Sequence, residues 1–245
     1  MRILIIGGAG FIGSHLVSLL NNNSDHELVV VDNLSSGSRE NISQKIKFYE
    51  MDIRDNGLEK VFNEYHFDVV VNLAAQTMVP YSLEHPDEDA DINILGLINV
   101  LNCCKEHAVQ RIIFSSSAAV YGNNMNVPLK EEETSMPMSF YGITKMTAEH
   151  YLRVYSELYG IDAIVLRFAN VYGERQGNGG EGGVISIFAK LIAEDLPISL
   201  YGNGEQTRDF VYAGDIAEAI SAAFSVQGYH IINVSNAIEV SINEL

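Results

Sequence analysis

Two clusters in this 245-residue chain carry residue types suited to chemistry. In the first, Tyr141-Gly142-Ile143-Thr144-Lys145 sets a phenol and an amine four residues apart, and Ser115-Ser116-Ser117 closes the apolar run that ends in Phe114. Positions i and i+4 of a helix share one face, so Tyr141 and Lys145 stand side by side if that segment is helical. A cation beside a buried phenol favours the phenolate. A phenolate can take a proton from an alcohol at neutral pH, which a free tyrosine cannot. A serine hydroxyl nearby can hold the same substrate oxygen or pass the proton along. In isolation, Tyr-x-x-x-Lys on a helix is usually a solvated surface pair. Its meaning depends on what lies around it.

The second cluster is Gly7-Gly8-Ala9-Gly10-Phe11-Ile12-Gly13, directly after the apolar run Arg2–Ile6. Glycine belongs where a strand-to-helix turn is tight, where a pyrophosphate approaches the backbone and where helix packs on strand. The helix that opens at Phe11 would turn free N–H groups and a partial positive charge toward the phosphates. Asp32 follows Gly13 by nineteen residues, at the end of the second apolar run, with Asn33 next to it. A carboxylate there accepts from the adenosine ribose hydroxyls and repels a 2′-phosphate, so NAD is favoured over NADP. Asp52, with Ile53 beside it, could accept from the adenine amino group. The small residues of Leu73-Ala74-Ala75 would let the cofactor lie close to the backbone. A serine-tipped strand beside the nicotinamide then gives Tyr141 and Lys145 a catalytic setting.

These residues need a frame that brings them together. Arg2–Ile6, Leu28–Val31, Ile46–Tyr49, Val69–Asn72, Arg111–Phe114 and Ala163–Arg167 read as strands, most of them continuously apolar, as in strands covered on both faces. Phe11–Asn21, Gly57–Tyr65, Asp89–His107 and Tyr141–Tyr159 read as the intervening helices. The alternation predicts an α/β fold, a Rossmann-type doubly wound parallel sheet with right-handed crossovers. Residues 1–172 form the expected NAD-binding domain. Residues 173–183, dense in glycine, read as a mobile loop. Beyond it, a helix (Val184–Glu194), a strand (Ile198–Leu200), a turn at Gly202-Asn203-Gly204, a strand (Phe210–Tyr212) and a helix (Asp215–Phe224) suggest a smaller substrate-binding region, 173–245, over the carboxyl edge of the sheet. Part of it, about 213–234, is expected to pack back on the first domain. Ligands of open α/β sheets bind at that edge.

Composition narrows the partners. With 15 Lys+Arg against 32 Asp+Glu the net charge is −17, which argues against nucleic acid or an anionic membrane surface as the main partner. No apolar run is long enough to span a bilayer, and the first apolar stretch is too short for a signal peptide, so a cytoplasmic protein is expected. Cys103 and Cys104 are adjacent, unsuited to a mutual disulfide, and read as two small thiols on a helix. The seven histidines show no ligand spacing, and no metal site is expected. Glu131-Glu132-Glu133 reads as a solvated loop.

The glycine turn, Asp32-Asn33-Leu34, Phe114-Ser115-Ser116-Ser117-Ala118-Ala119-Val120-Tyr121-Gly122 and Tyr141-Gly142-Ile143-Thr144-Lys145 together resemble the extended short-chain dehydrogenases/reductases. Within them the chain is similar to the NAD-dependent nucleotide-sugar epimerases of the UDP-glucose 4-epimerase kind. The resemblance implies that Ser117 is the catalytic serine, Tyr141 the base, and Lys145 its partner and a holder of the nicotinamide ribose. It implies cofactor contacts for Ser115, Asn93 and Phe168. For the nucleotide diphosphate and uracil it implies Asn170, Arg208 and Tyr201, with Arg175 a further candidate. An arginine suits a diphosphate by geometry.

The reaction implied is a cycle. Tyr141 takes the proton of the sugar 4-hydroxyl while hydride passes from C4 to NAD, the 4-keto sugar turns in the pocket, and hydride returns to its other face. Related dehydratases and decarboxylases place acids just after the serine, where this chain has Ala118 and Ala119, and alanine cannot donate a proton. Alternatives are a UDP-N-acetylglucosamine or UDP-uronate 4-epimerase and, from a different class, a non-catalytic NAD-binding sensor. Proteins of that last kind typically lose the Tyr or the Lys. The resemblance also implies a homodimer through the helices at about 89–107 and 141–159. Finally, Ser241-Ile242-Asn243-Glu244 has the form of a capping box, which announces a helix. Relatives continue for several tens of residues, so the substrate-binding region is expected to be shortened at its C-terminus.

Overall fold

A computed structural model describes residues 1–22, 25–177 and 183–245. Seven parallel strands form the central sheet: β1 (Arg2–Ile6), β2 (Glu27–Asp32), β3 (Lys47–Glu50), β4 (Val69–Asn72), β5 (Arg111–Ser117), β6 (Asp162–Phe168) and β10 (Tyr229–Val234). Their order is β10-β6-β5-β4-β1-β2-β3. The order reverses between β1 and β4, which places a crevice at their carboxyl ends.

The apolar runs are buried on both faces because both carry helices. Along β1, Leu4 and Ile6 face a layer made by α2 (Leu58–Glu64), α5 (Gly96–Glu106) and α6 (Phe140–Tyr159), with Phe62, Leu97, Leu101 and Leu152 among its core residues. Ile3 and Ile5 face the opposite layer, where Leu16 and Leu20 of α1 (Phe11–Asn22) meet Ile216 and Ile220 of α8 (Ala213–Ala222). The period-2 alternation of the strand therefore feeds two cores at once.

Three local details differ from the sequence expectation. The segment 89–107 is helical as expected, but the helix carries a π turn in its interior. His85-Pro86 separates α3 (Val79–Glu84) from α4 (Pro86–Ala90), a π turn occupies Asp91–Leu95, and α5 begins only at Gly96. β5 runs through all three serines to Ser117, since β6 pairs with it as far as Phe168. Ile198–Leu200 lies outside any ladder and is irregular. The capping-box residues do bond reciprocally, Ser241 N–H to Glu244 Oε2 at 2.9 Å and Glu244 N–H to Ser241 Oγ at 3.2 Å.

Beyond β6 the chain forms β7 (Asn170–Tyr172), α7 (Val184–Ala193), β8 (Thr207–Arg208) and β9 (Phe210–Tyr212) before α8, and β11 (Val240–Ser241) after β10. β7 pairs with β9, and β8 with β11. Of the glycine-rich stretch, residues 178–182 lie outside the described residues.

Candidate active site

The crevice opens into a cleft of about 1030 Å³. Its floor is the glycine turn. Gly7 has φ +77°, and a Cβ there would sit 2.7 Å from Ala74 N, so only glycine lets the turn approach the end of β4. A Cβ at Gly13 would lie 2.1 Å from Gly7 O, so α1 can start directly against the turn. Gly10 has only the Gly7 carbonyl near its missing Cβ, at 3.3 Å, and lines the cleft, leaving bare backbone for an anion.

Asp32 is 7% exposed and braces this turn. Its Oδ2 accepts from Ala9 N–H at 2.9 Å and its Oδ1 from Leu34 N–H at 2.8 Å. Two carboxylate oxygens offer about four acceptor positions. Two remain for ribose hydroxyls, so the residue fits an adenosine without a 2′-phosphate. Asp52 is different. It accepts three bonds from Arg54 (backbone N–H, Nε and Nη2, at 2.8–2.9 Å) and one from Asn33 Nδ2 at 2.9 Å. The Arg54 bonds hold its carboxyl down at about 2. Its acceptor sites are already occupied, which leaves it poorly placed to serve an adenine amino group.

At the other end of the cleft, α6 presents the phenol and the amine. Ser139 caps this helix by accepting from Gly142 N–H at 3.1 Å. A Cβ at Gly142 would come within 2.8 Å of Ala119 O, so the absent side chain lets the start of α6 press on the turn after β5. That contact brings Tyr141 to Ser117, whose Oγ accepts from Ala119 N–H at 3.1 Å. Lys145 is 2% exposed. Its ammonium donates to Ser115 O at 2.8 Å and lies 4.8 Å from the Phe114 ring centroid.

Burial pushes the Tyr141 phenol up to about 12, against the opposing effect of the Ser117 hydroxyl, and Asp89 adds to the rise. Burial likewise pushes Lys145 down to about 8, opposed by Asp89 and Glu149. In the chain by itself, desolvation outweighs the help that sequence spacing promised the phenolate. Ser115, Ser117, Tyr141 and Lys145 nevertheless converge on one end of the cleft.

Most of the candidate residues line this single cleft: Gly7, Gly10, Phe11, Ile12 and Gly13 on its floor, Asp32, Asn33, Asp52 and Ile53 at one end, and Leu73, Ala74, Ala75 and Phe168 along it. Asn170, Tyr201 and Arg208 line it as well, all exposed, with Arg208 Nη1 donating to Thr207 O at 2.7 Å. Two candidates lie elsewhere. Arg175 turns back onto α1, donating to Ser14 O at 3.2 Å and Ser18 Oγ at 3.3 Å. Asn93 is buried behind the cleft wall. Its Oδ1 accepts from Gln76 N–H at 2.9 Å and its Nδ2 donates to Gln76 O at 3.0 Å, so it anchors the loop after β4 rather than facing a ligand.

Sequence reasoning missed Arg54, the loop residues Gln76–Val79, and Phe188 of α7, all of which line the cleft. It also missed a buried polar chain behind the serines. Arg167 bonds Glu149 through Nε at 2.9 Å and Nη2 at 2.7 Å, Ser116 Oγ donates to Glu149 Oε1 at 2.5 Å, and Arg167 Nη1 donates to Tyr121 OH at 2.8 Å. The spacing of Lys145 and Glu149, again i,i+4, was the available signal. Glu131 is exposed, as expected, and also accepts from Asn233 N–H at 2.8 Å. Among the described residues no cluster of His, Cys, Asp or Glu is arranged for a metal ion, and no helix is long and apolar enough to cross a membrane.

A parallel sheet with this order, a glycine turn braced by Asp32, and a Ser/Tyr/Lys group at the same sheet edge define an NAD-dependent enzyme of the extended short-chain dehydrogenase type. The chain belongs to the NAD dependent epimerase/dehydratase family, whose model matches residues 3–235. It is 44% identical over 245 residues to a putative UDP-glucose 4-epimerase of Methanocaldococcus jannaschii, covering 99% of this chain and 79% of the relative. A solved UDP-glucose 4-epimerase of Thermotoga maritima with UDP-glucose superposes with TM-score 0.96 at 39% identity, covering 100% of this chain and 80% of that one. The UDP-glucose 4-epimerase of Thermus thermophilus, solved in complex with NAD, gives TM-score 0.94 at 39% identity over the same shares.

Proposed function

We propose that this chain is a nucleotide-sugar 4-epimerase acting on UDP-glucose and UDP-galactose, with NAD held throughout the cycle. The observation that carries the proposal is the convergence of Ser117, Tyr141 and Lys145 on one end of a cleft whose other end is a glycine turn and Asp32. Gly7, Gly10 and Gly13 would give backbone to the cofactor diphosphate, Asp32 would accept from the adenosine ribose, and Lys145 would hold the nicotinamide ribose. NAD, when bound, supplies a reversible hydride acceptor and a positive charge beside the phenol.

Tyr141 takes the proton of the sugar 4-hydroxyl and later gives it back. Lys145 stabilises the phenolate by its charge. Ser117 holds the same sugar oxygen. Arg208 and Asn170 bind the nucleotide diphosphate, and Tyr201 faces the uracil. Ala118 and Ala119, directly after the serine, offer no acid for elimination or decarboxylation, which favours epimerisation. Residues 1–172 act as the cofactor domain and 173–245 as the substrate region, with about 213–234 serving the first.

Ile143, Tyr151, Val154 and Leu158 leave apolar surface exposed along α6, which supports a homodimer through this helix and the segment 89–107. A cytoplasmic location is part of this reading, in keeping with the net charge of −17. The test is a panel of UDP-glucose, UDP-N-acetylglucosamine and UDP-glucuronate with product analysis, run on the chain and on Tyr141→Phe. The expected result is UDP-glucose turnover that falls by orders of magnitude in the variant while NAD stays bound. Near-normal turnover in Tyr141→Phe would remove the assigned base.

A further inference from the structure

We infer that Asp89 is a positioning residue of this site: a buried counter-charge that keeps Lys145 an ammonium and ties the loop after β4 to the helix carrying Tyr141. The inference rests on the proposed roles of Tyr141 and Lys145.

Asp89 lies in α4 with 0% exposure. A carboxylate is almost never buried without compensation. Its compensation here is unusual, because all three hydrogen-bond donors are neutral. Thr144 Oγ1 donates at 2.8 Å, Gln76 Nε2 at 2.7 Å and Asn93 Nδ2 at 3.2 Å. Among the described residues no Lys or Arg forms an ion pair with it. Lys145, the sequence neighbour of Thr144, is the mirror case. Among the described residues it is a buried ammonium with one carbonyl partner and no carboxylate in contact.

The charged and titratable groups around the pair point to the same assignment. Glu149 of α6 also faces Lys145, but both its oxygens are taken by Arg167 of β6, so its charge is already answered. Asp91 is engaged by Arg54, Glu88 by the Tyr81 hydroxyl, and Asp87 is exposed. From β5, Lys145 meets only the Ser115 carbonyl and the Phe114 ring. Among the described residues Asp89 is thus left as a buried carboxylate without a cationic partner, bonded to Thr144, the chain neighbour of the buried Lys145. Two such charges share one low-dielectric site at far less cost than either would pay alone. Asp89 is also the foremost group opposing the downward push of burial on Lys145, and it pushes Tyr141 upward.

The same carboxylate has a mechanical part. Gln76 lines the cleft, and Asp89 and Asn93 together hold it while Thr144 fixes Asp89 to α6. The π turn at Asp91–Leu95 sits directly after Asp89 and Ala90 and contains Asn93.

Removing the charge has a signed consequence. Without Asp89, Lys145 loses its proton at lower pH and Tyr141 ionises at lower pH. Both limbs of the pH profile of kcat/KM should therefore move toward acid in Asp89→Asn, by about one unit. Asp89→Glu, which restores the charge, should move them back. An ultraviolet difference titration of tyrosinate, each protein measured against its own Tyr141→Phe variant, should show the same acid shift without any turnover. A merely structural role would lower the rate and leave both limbs and the titration unmoved, and that result overturns the inference. If Asp89→Asn does not fold, Asp89→Ser, small enough to admit a water among the three donors, carries the same prediction. A fully active Tyr141→Phe would instead remove the underlying reading of the pair, which keeps the two failures apart.

Discussion

Substituting Gly13 tests the cofactor floor without any reference to turnover. In Gly13→Ala the new Cβ would stand 2.1 Å from Gly7 O and 2.7 Å from Gly8 Cα, both backbone atoms. Relieving the first contact requires the start of α1 to retreat by about 1 Å, since non-bonded carbon is comfortable only beyond roughly 3 Å. Overpacking of this kind costs about 1–3 kcal/mol, partly offset by up to about 1 kcal/mol from the better helix propensity of alanine. Retreat also withdraws the helix N-terminus from the diphosphate. At about 1.4 kcal/mol per decade, NAD affinity should fall roughly 10- to 100-fold. The assay is calorimetric titration of cofactor-stripped chain with NAD, with urea unfolding in parallel. Gly10→Ala is the contrast, because its Cβ meets only the Gly7 carbonyl at 3.3 Å and otherwise projects toward the cleft. It should weaken NAD binding with little loss of stability. NAD affinity of Gly13→Ala within about threefold of the parent would refute the assigned role of the turn.

Three further outcomes follow from named contacts. Glu149→Gln leaves Arg167 buried without its anion, so unfolding free energy should drop by about 3 kcal/mol and Tm by roughly 6–12 °C, read by calorimetry. Lys145 is lowered from 10.5 to about 8, so between those values the unfolded chain holds more protons than the folded one, and this group's contribution raises stability with pH by up to about 3 kcal/mol. Urea unfolding from neutral to alkaline pH should show that rise, and Lys145→Met should lack it; above pH 10 the raised Tyr141 works in the opposite direction. Arg208→Ala should raise KM for a UDP-sugar by about 10- to 100-fold with a smaller change in kcat, because in its proposed role the guanidinium would make a charge-assisted contact in ground and transition states alike.

The glycine turn, Asp32 and the Ser/Tyr/Lys group were legible in the sequence because each depends on local geometry: a strand-turn-helix, a strand end, an i,i+4 helix face. Six of the seven sheet strands were readable for the same reason, as short apolar runs, all but the one at Ile46–Tyr49 nearly unbroken. Asp89 was not legible. It sits in a run of four acids and one alanine, Asp87-Glu88-Asp89-Ala90-Asp91, where periodicity gives no reason to bury one and expose the rest. Only the break at Pro86 and the π turn after Ala90 decide which one faces inward. Arg175 was not legible either, since its bonds to Ser14 and Ser18 of α1 depend on the path of a loop and join residues about 160 positions apart. The phenol's upward shift could not be read either, because desolvation depends on what the third dimension packs around a hydroxyl.

The central claim is that one site removes and returns the same hydrogen at the sugar C4 with no net change in cofactor. The most direct measurement is incubation of the purified chain with UDP-glucose alone, without added NAD, followed by separation of the nucleotide sugars. Steady conversion to UDP-galactose, many turnovers per mole of protein, is the predicted result. No UDP-galactose from a chain that carries NAD, or accumulation of a keto sugar matched by reduced cofactor, would contradict it.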